Sequence, residues 1–439
     1  MYKDALRSRR TLGTLMLYGL CCLFATPATY AALALAFNDK VTVDSAFVTG
    51  AAAPTDIAFT ADGRAIITQK GGELLVRRAD GALLTLAYPF GGSLDTSSEK
   101  GVLGVVADPQ VATNSRFYFY VSNGPSSDKH RVYRATLTPT NTLVVDAGPV
   151  VGASRGVGPG LEGPANHDGG GLSIHNNQLY ISVGDTGANA SPPVNKYGSC
   201  LNKGNGKILR VNLDGSVPAD NPLVGVASVT ACDSPTGPWL TAAPDRRIFA
   251  WGFRNPWRFW VDPQTGRLWI GDVGEITEEE VSIGGGDQHY GYPFVEGARA
   301  WGNVEGKNCN LGMTPSRPCS APAYSYPRFV GTTVTGGLVL DTPAWLGVFG
   351  AAHYVVGDSS ASWLRILPVN NARTGFSSNV PVDFATFAGG APVSIRQGPD
   401  DSLYVVYLGF GAVYRFTPTT AACPSCATPT APARLRLTP

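Results

Sequence analysis

Six times along this 439-residue chain a turn opens a short β-rich run, glycine interrupts it, and a second run follows, often closing on arginine. The unit begins at Asp62 in ADGRAIITQKGGELLVRR, at Asn114 in ATNSRFYFYVSNG and at Asn176 in HNNQLYISVGDTG. It returns at Thr265 in PQTGRLWIGDVGE, at Gly350 in FGAAHYVVGDSSASWLRILP and at Asp401 in PDDSLYVVYLGFGAVYRFTP. Asp-Gly and Asn-Asn pairs flanked by β-branched and aromatic residues are hairpin signals, and no long amphipathic helix pattern interrupts them. The starts lie about 50 to 90 residues apart, more than a minimal blade of about 40 to 50. The excess falls around Cys200–Cys232 and Cys309–Cys319, as loop insertions would. The expectation is an all-β fold, a six-bladed β-propeller of four-stranded antiparallel blades over residues 45–417, in which radial repetition protects most strand edges. Two β-sandwich domains are the rival, but no linker-like shift in composition divides that span.

Composition agrees with a turn-rich β protein: 53 glycines and 33 prolines accompany only 15% charged residues. A net charge of +1, with no basic run in the body of the chain, argues against nucleic acid or an anionic membrane as partner. No phosphate-binding GxxxxGK loop occurs, and GPGLEG has dinucleotide-loop spacing without opening a helix pattern. Residues 1–34 have the layout of an export signal. Lys3, Arg7, Arg9 and Arg10 precede the apolar run TLGTLMLYGLCCLFA, with Thr29-Tyr30-Ala31 and Ala32-Leu33-Ala34 as alternative cleavage sites. Apolar character continues to Phe37, as in an uncleaved anchor. Pro27 and the small residues favour cleavage, and hence a secreted or periplasmic product with no membrane insertion. Residues 35–44 then form a lead-in, and the Thr/Pro/Ala-rich residues 418–439 a flexible tail. Cys21 and Cys22 leave with the signal. The other cysteines are even in number and bound for an oxidising compartment, which suggests the disulfides Cys200–Cys232 and Cys309–Cys319. Cys423 and Cys426 have redox-motif spacing but no βαβ context, and read as a small disulfide or tether.

Ligands of propellers meet the loops at one mouth of the central channel, so polar residues in glycine-rich breaks are the candidates. His167 in NHDGGGLSI stands first, because histidine is the usual base for removing a hydroxyl proton near neutral pH. Its three following glycines read as clearance for a flat ligand. His130, His175, His289 and His353 are given no chemical role. Asp185 in VGDTG is either a turn cap or the carboxylate that orients the histidine. Arg254 and Asn255 in GFRNPWRF suit either a bound oxygen ligand or the backbone carbonyls around the channel. Trp257 and Arg258 read as packing residues. GDVGEITEEEV gathers Asp272, Glu275, Glu278, Glu279 and Glu280, a loop that suits calcium or simply solvent. It lacks EF-hand spacing, and no His/Cys cluster suggests zinc.

Together these segments resemble the glucose/sorbosone dehydrogenase family, whose best-known members are soluble quinoprotein sugar dehydrogenases. The matching stretches include PTDIAFTADGRAIITQKGG, NHDGGGLSI, GKILRVNLDGSVPADNP, IFAWGFRNPWRFWVDPQTGRLWIGDVGE and GGGDQHYGYPFVEG. TVTGGLVL and HYVVGDSSASWLRIL are similar to the branch that includes hedgehog-interacting-protein-like propellers. The resemblance implies a site for pyrroloquinoline quinone (PQQ) and Ca2+, a small-molecule sugar substrate, an unidentified electron acceptor, and oxidation of the C1 hydroxyl of an aldose to a lactone. It implies His167 as base, Asp185 as its partner, Arg254 and Asn255 on the quinone and Glu99 on the cofactor side. It further implies cofactor calcium on the carbonyls of Gly274 and Glu275, and a structural calcium near Glu280 and Tyr290. The family also uses a fifth-blade lysine and a sixth-blade arginine pair on the quinone carboxylates. Here Ser360 stands near the lysine position, and Arg396, the sole arginine of FAGGAPVSIRQGPDD, is out of register. A non-catalytic, calcium-stabilised propeller that binds carbohydrate or protein is therefore the second reading. A hydrolase or lactonase is a third, with no paired-carboxylate pattern behind it.

Overall fold

The computed structural model describes residues 34–152, 158–163, 166–185, 187, 197–231, 240–297, 299–300, 309 and 317–419. Most of residues 1–34, Cys232, Cys423, Cys426 and most of residues 418–439 lie outside them. The second strand of each repeat is the key to the architecture. Ala65–Gln69, Arg116–Ser122, Gln178–Val183, Leu268–Asp272, His353–Asp358 and Leu403–Tyr407 are buried almost end to end. Strands covered on both faces read as unbroken apolar runs, which explains sequences such as FYFYV and LYVVY. Outer strands such as Leu83–Leu86 alternate between exposed and half-buried.

Six four-stranded antiparallel sheets result, the fifth extended by Ala34–Leu35. Their first strands are Pro54–Phe59, Val102–Ala107, Leu172–His175, Pro256–Val261, Val334–Leu340 and Pro392–Gln397. Each touches the next around a closed ring, so the fold is a six-bladed β-propeller. Between every two neighbouring blades sits one apolar cluster, such as Leu103, Tyr120, Leu172 and Leu209 between the second and third. Among the described residues the α-helices are two short ones, Val111–Asn114 and Pro343–Phe349, and none is long and apolar enough to cross a membrane.

The ring is closed by two strands far apart in sequence. Val41–Val48 is the outermost strand of the sixth blade and pairs with Ala412–Pro418 (Val41 opposite Pro418, Val48 opposite Val413). Val41, Phe47 and Val48 are all buried. Burying such a side chain contributes ~1.5–3 kcal/mol. Deleting the chain through Val48 is therefore expected to cost on the order of 5 kcal/mol, a large share of a typical domain's stability. Urea denaturation checks this, and an unchanged midpoint would mean that the ring closes without that strand.

Antiparallel order puts the connection entering each first strand, and the turn between the second and third strands, at the same end of the channel. In five blades the pairing of the first two strands shifts register at that end, for instance between Pro54 and Asp56 and between Pro256 and Arg258. Bulges of this kind re-aim side chains at a rim. His167, Glu99 and Arg254 lie on the entering connections, Asp185 and Gly274 on the turns, and Asp272 at the strand end that leads into its turn.

Candidate active site

His167 is held in the left-handed region, at a φ of 61°. Residues with side chains seldom stay there without compensation. The compensation is Glu99, whose Oε2 accepts the N–H of His167 at 2.9 Å and that of Asp168 at 3.3 Å. The same oxygen accepts Asn255 Nδ2 at 3.3 Å, and Asn255 Oδ1 accepts the N–H of Gly169 at 3.2 Å. One carboxylate thus joins the entering connections of three blades. His167 Nδ1 donates to Asp185 Oδ1 at 2.7 Å, and Asp185 also accepts the N–H of Gly187 at 2.9 Å. Because the carboxylate takes the Nδ1 proton, the lone pair sits on Nε2, which has no partner among the described residues. That is the tautomer a general base requires.

The glycines after His167 do not give clearance to a ligand. A Cβ on Gly169 would lie 2.8 Å from Ser182 O, and one on Gly170 2.7 Å from Leu103 Cβ, so this chain's own atoms fill the space. Gly184 is tighter still, its missing Cβ only 2.0 Å from His167 O. These glycines press the histidine loop against the strand carrying Asp185.

Asp272 sets Arg254 and Asn255. Its two oxygens accept their N–H groups at 3.1 and 2.8 Å, and Arg254 O in turn accepts Asp185 N–H at 2.8 Å. Burial pushes the Asp272 carboxyl up to about 7, against the lowering effect of those two N–H groups. Sequence reasoning assigned Asp272 to an acidic run and missed this bracing role. The signal available was its place at the end of a fully apolar strand. Trp257 and Arg258 do pack: Trp257 Nε1 donates to Val393 O, and Arg258 Nη2 to Thr55 O and Leu103 O.

The acidic loop is organised by Glu296, which the motif reading passed over. Its Oε1 accepts the N–H groups of Glu275, Ile276 and Thr277 at 2.6, 2.9 and 3.1 Å. Glu275 Oε2 accepts Tyr292 Oη at 3.0 Å. Gly274 O accepts Arg328 Nη1 at 2.8 Å, so a cation already lies on that carbonyl. Glu280 is buried, accepts the Gly297 N–H, and is raised well above the usual carboxylate range by burial and by Asp272, Glu296 and Glu278. Glu278 Oε2 is buried without a hydrogen-bond partner. No group of three or more His, Cys, Asp or Glu forms a ready metal cage among the described residues. Even so, mutually repelling carboxylates with an orphaned oxygen are a set that a cation would relieve. The Tyr290 ring stacks on Phe253, and its hydroxyl donates to Gly285 O and Gln288 Oε1.

Other residues settle into structural work. Ser360 Oγ donates to Asp358 Oδ1 and accepts the N–H of Thr332. Arg396 turns into the channel onto Asp56, 2.6 Å away. His130, given no role from sequence, is fully buried 2.9 Å from Asp168, directly behind His167. Lys207 is also buried, donating to Tyr197 O and Asn205 O, and burial lowers it to about 7. Cys309 and Cys319 form a disulfide, and Cys200 is disulfide-bonded as well.

The mouth of this six-bladed propeller thus holds a carboxylate-oriented histidine with an arginine–asparagine pair beside it. The chain belongs to the glucose/sorbosone dehydrogenase family, whose model matches residues 51–333. It is 26% identical over 255 residues to aldose sugar dehydrogenase YliI of Escherichia coli (strain K12), covering 57% of this chain and 60% of that protein. It is 27% identical over 259 residues to quinoprotein glucose dehydrogenase B of Acinetobacter calcoaceticus, covering 51% and 48%. The match thus spans about half to three-fifths of these relatives. The fold is similar to that of the PQQ-bound form of aldose sugar dehydrogenase from Streptomyces coelicolor, with a TM-score of 0.62, 18% identity, and 86% and 99% of the two chains covered.

Proposed function

We propose that this protein is an exported quinoprotein dehydrogenase that oxidises the C1 hydroxyl of an aldose to a lactone. The observation that carries the proposal is the 2.7 Å bond from His167 Nδ1 to Asp185, which leaves Nε2 as the unpartnered base. His167 Nε2 takes the hydroxyl proton, and Asp185, 1% exposed, stabilises the imidazolium that forms. Glu99 and Asn255 keep the histidine loop in register, and Arg254 contacts the quinone. PQQ, when bound, supplies the acceptor for the C1 hydrogen and its electron pair, and an unidentified acceptor then re-oxidises it.

The residues at the mouth fit a carboxylated quinone: Arg254 Nε is buried without a partner and needs an acceptor. Calcium in this reading belongs at the acidic turn around Glu278, Glu280 and Glu296. At Gly274 O it would share its oxygen with the Arg328 guanidinium. A binding module without catalysis gives no reason for a buried carboxylate bonded to a histidine whose other ring nitrogen is unpartnered among the described residues.

The experiment is reconstitution of purified apoprotein with PQQ, with and without Ca2+, followed by dye reduction across a panel of aldoses. Saturable quinone binding and sugar-dependent reduction are expected. Absence of both at micromolar quinone would sink this reading.

A further inference from the structure

Two successive carbonyls of one turn are taken by arginines from different blades. Arg254 Nη1 donates to Val273 O at 3.2 Å, and Arg328 Nη1 donates to Gly274 O at 2.8 Å. Arg254 enters the fourth blade, and Arg328 lies on the connection entering the fifth. Arg328 is fixed in three ways: its N–H donates to Thr277 O at 3.1 Å, and Nη1 reaches both Gly274 O and Glu279 Oε1. Glu279 is held in turn by the N–H of Val334 at 2.9 Å.

All of those side-chain bonds use a single nitrogen. Nε and Nη2 of Arg328 have no partner among the described residues, and the side chain keeps 25% exposure at the mouth. Arg254 repeats the pattern, with one nitrogen bonded and its Nε buried and unpartnered. A guanidinium presents its N–H groups as a planar fork matched to carboxylate oxygens. Two such groups, bound to adjacent carbonyls of one turn, bring the positive charge that a carboxylated anion needs.

The residues from which positive charge was expected do not supply it here. The Ser360 hydroxyl is neutral and engaged with Asp358 and Thr332, and Arg396 is spent on Asp56. We propose that Arg328 is the fifth-blade cation of this mouth and that, with Arg254, it holds a carboxylate of the bound quinone. The proposal rests on the quinoprotein reading above.

The test is a titration of apoprotein with PQQ followed by absorbance and protein fluorescence, with no sugar present. Arg328→Met is expected to weaken binding by about 10- to 100-fold, since a charged hydrogen bond is lost. Arg328→Lys, which keeps the charge, should recover most of that loss. Glu279→Gln is the decisive arm, because it loosens the guanidinium but keeps its charge and its bond to Gly274 O, so affinity should fall far less than in Arg328→Met. A purely structural brace predicts instead that Glu279→Gln and Arg328→Met weaken binding alike. That result, or equal affinity of wild type and Arg328→Met, overturns the proposal. If Arg328→Met fails to fold with Glu279 unpaired, the Arg328→Met/Glu279→Gln double variant removes that carboxylate and should show the same 10- to 100-fold loss, of about that size. Failure of the wild type itself to bind PQQ overturns both this assignment and the quinoprotein reading.

Discussion

Replacing His167 by asparagine is expected to lower kcat by about 100- to 10,000-fold, the usual contribution of a positioned general base. Asparagine is the informative choice because it tolerates the left-handed backbone that His167 occupies at φ 61°. Alanine there would add backbone strain and blur a chemical loss with a structural one. Asp185 would keep its bond to the Gly187 N–H, and Glu99 would keep the loop, since both bind backbone groups. Steady-state dye reduction, read beside a PQQ titration and a thermal melt, separates the terms. Turnover within tenfold of wild type, at equal quinone affinity, would move the base to another residue.

Asp56→Ala is expected to cost about 3–5 kcal/mol of stability, because it leaves the half-buried Arg396 and the buried Arg258 without their carboxylate. The Asp56 carboxylate accepts Arg396 Nε and Nη2 at 3.0 and 2.6 Å, Ser394 Oγ at 2.6 Å and the Val105 N–H at 3.1 Å. It therefore ties the first, second and sixth blades together at the channel wall. Burial opposes ionisation of this carboxyl, but Arg396 and Arg258 overcome it and hold the group below its ordinary value of 3.8. A depressed folded pKa gives stability that is present above 3.8 and is lost as pH falls through the folded value. Urea midpoints for wild type and Asp56→Ala should thus differ by a constant amount at neutral pH and converge in strong acid. A gap that widened in acid would show that the pair does not stabilise the ring as an ion pair.

The six repeats were legible because their signal is local. Each turn picked from sequence, at Asp62, Asn114, Asn176, Thr265, Gly350 and Asp401, leads into the second strand of a blade, a few residues away. The His167–Asp185 pair was legible for a related reason, since the two lie on the first and second strands' mouth ends of one blade. What escaped the sequence is non-local. Nothing near Val41 indicates that its partner is Pro418, and nothing near Asp56 points to Arg396. Glu296 and Arg328 sit in stretches without motif character, and their importance comes from the backbone groups that the fold brings to them. The glycines of NHDGGG were read for the right crowding but the wrong neighbour, because sequence does not say which atoms approach a missing side chain.

The strand Val41–Val48 also has a consequence in time. It is among the first parts of the propeller to be synthesised, yet its one ladder partner among the described residues, Ala412–Pro418, is made after every other blade strand. During synthesis that strand is an open edge, and the circle of blades stays a crescent until Ala412–Pro418 exists. A prematurely terminated product lacking Ala412–Pro418 would hold every residue assigned here to chemistry and still leave its first strand unmatched. The join between these two strands therefore acts as a check on the propeller, closing the ring only in chains that extend through Pro418.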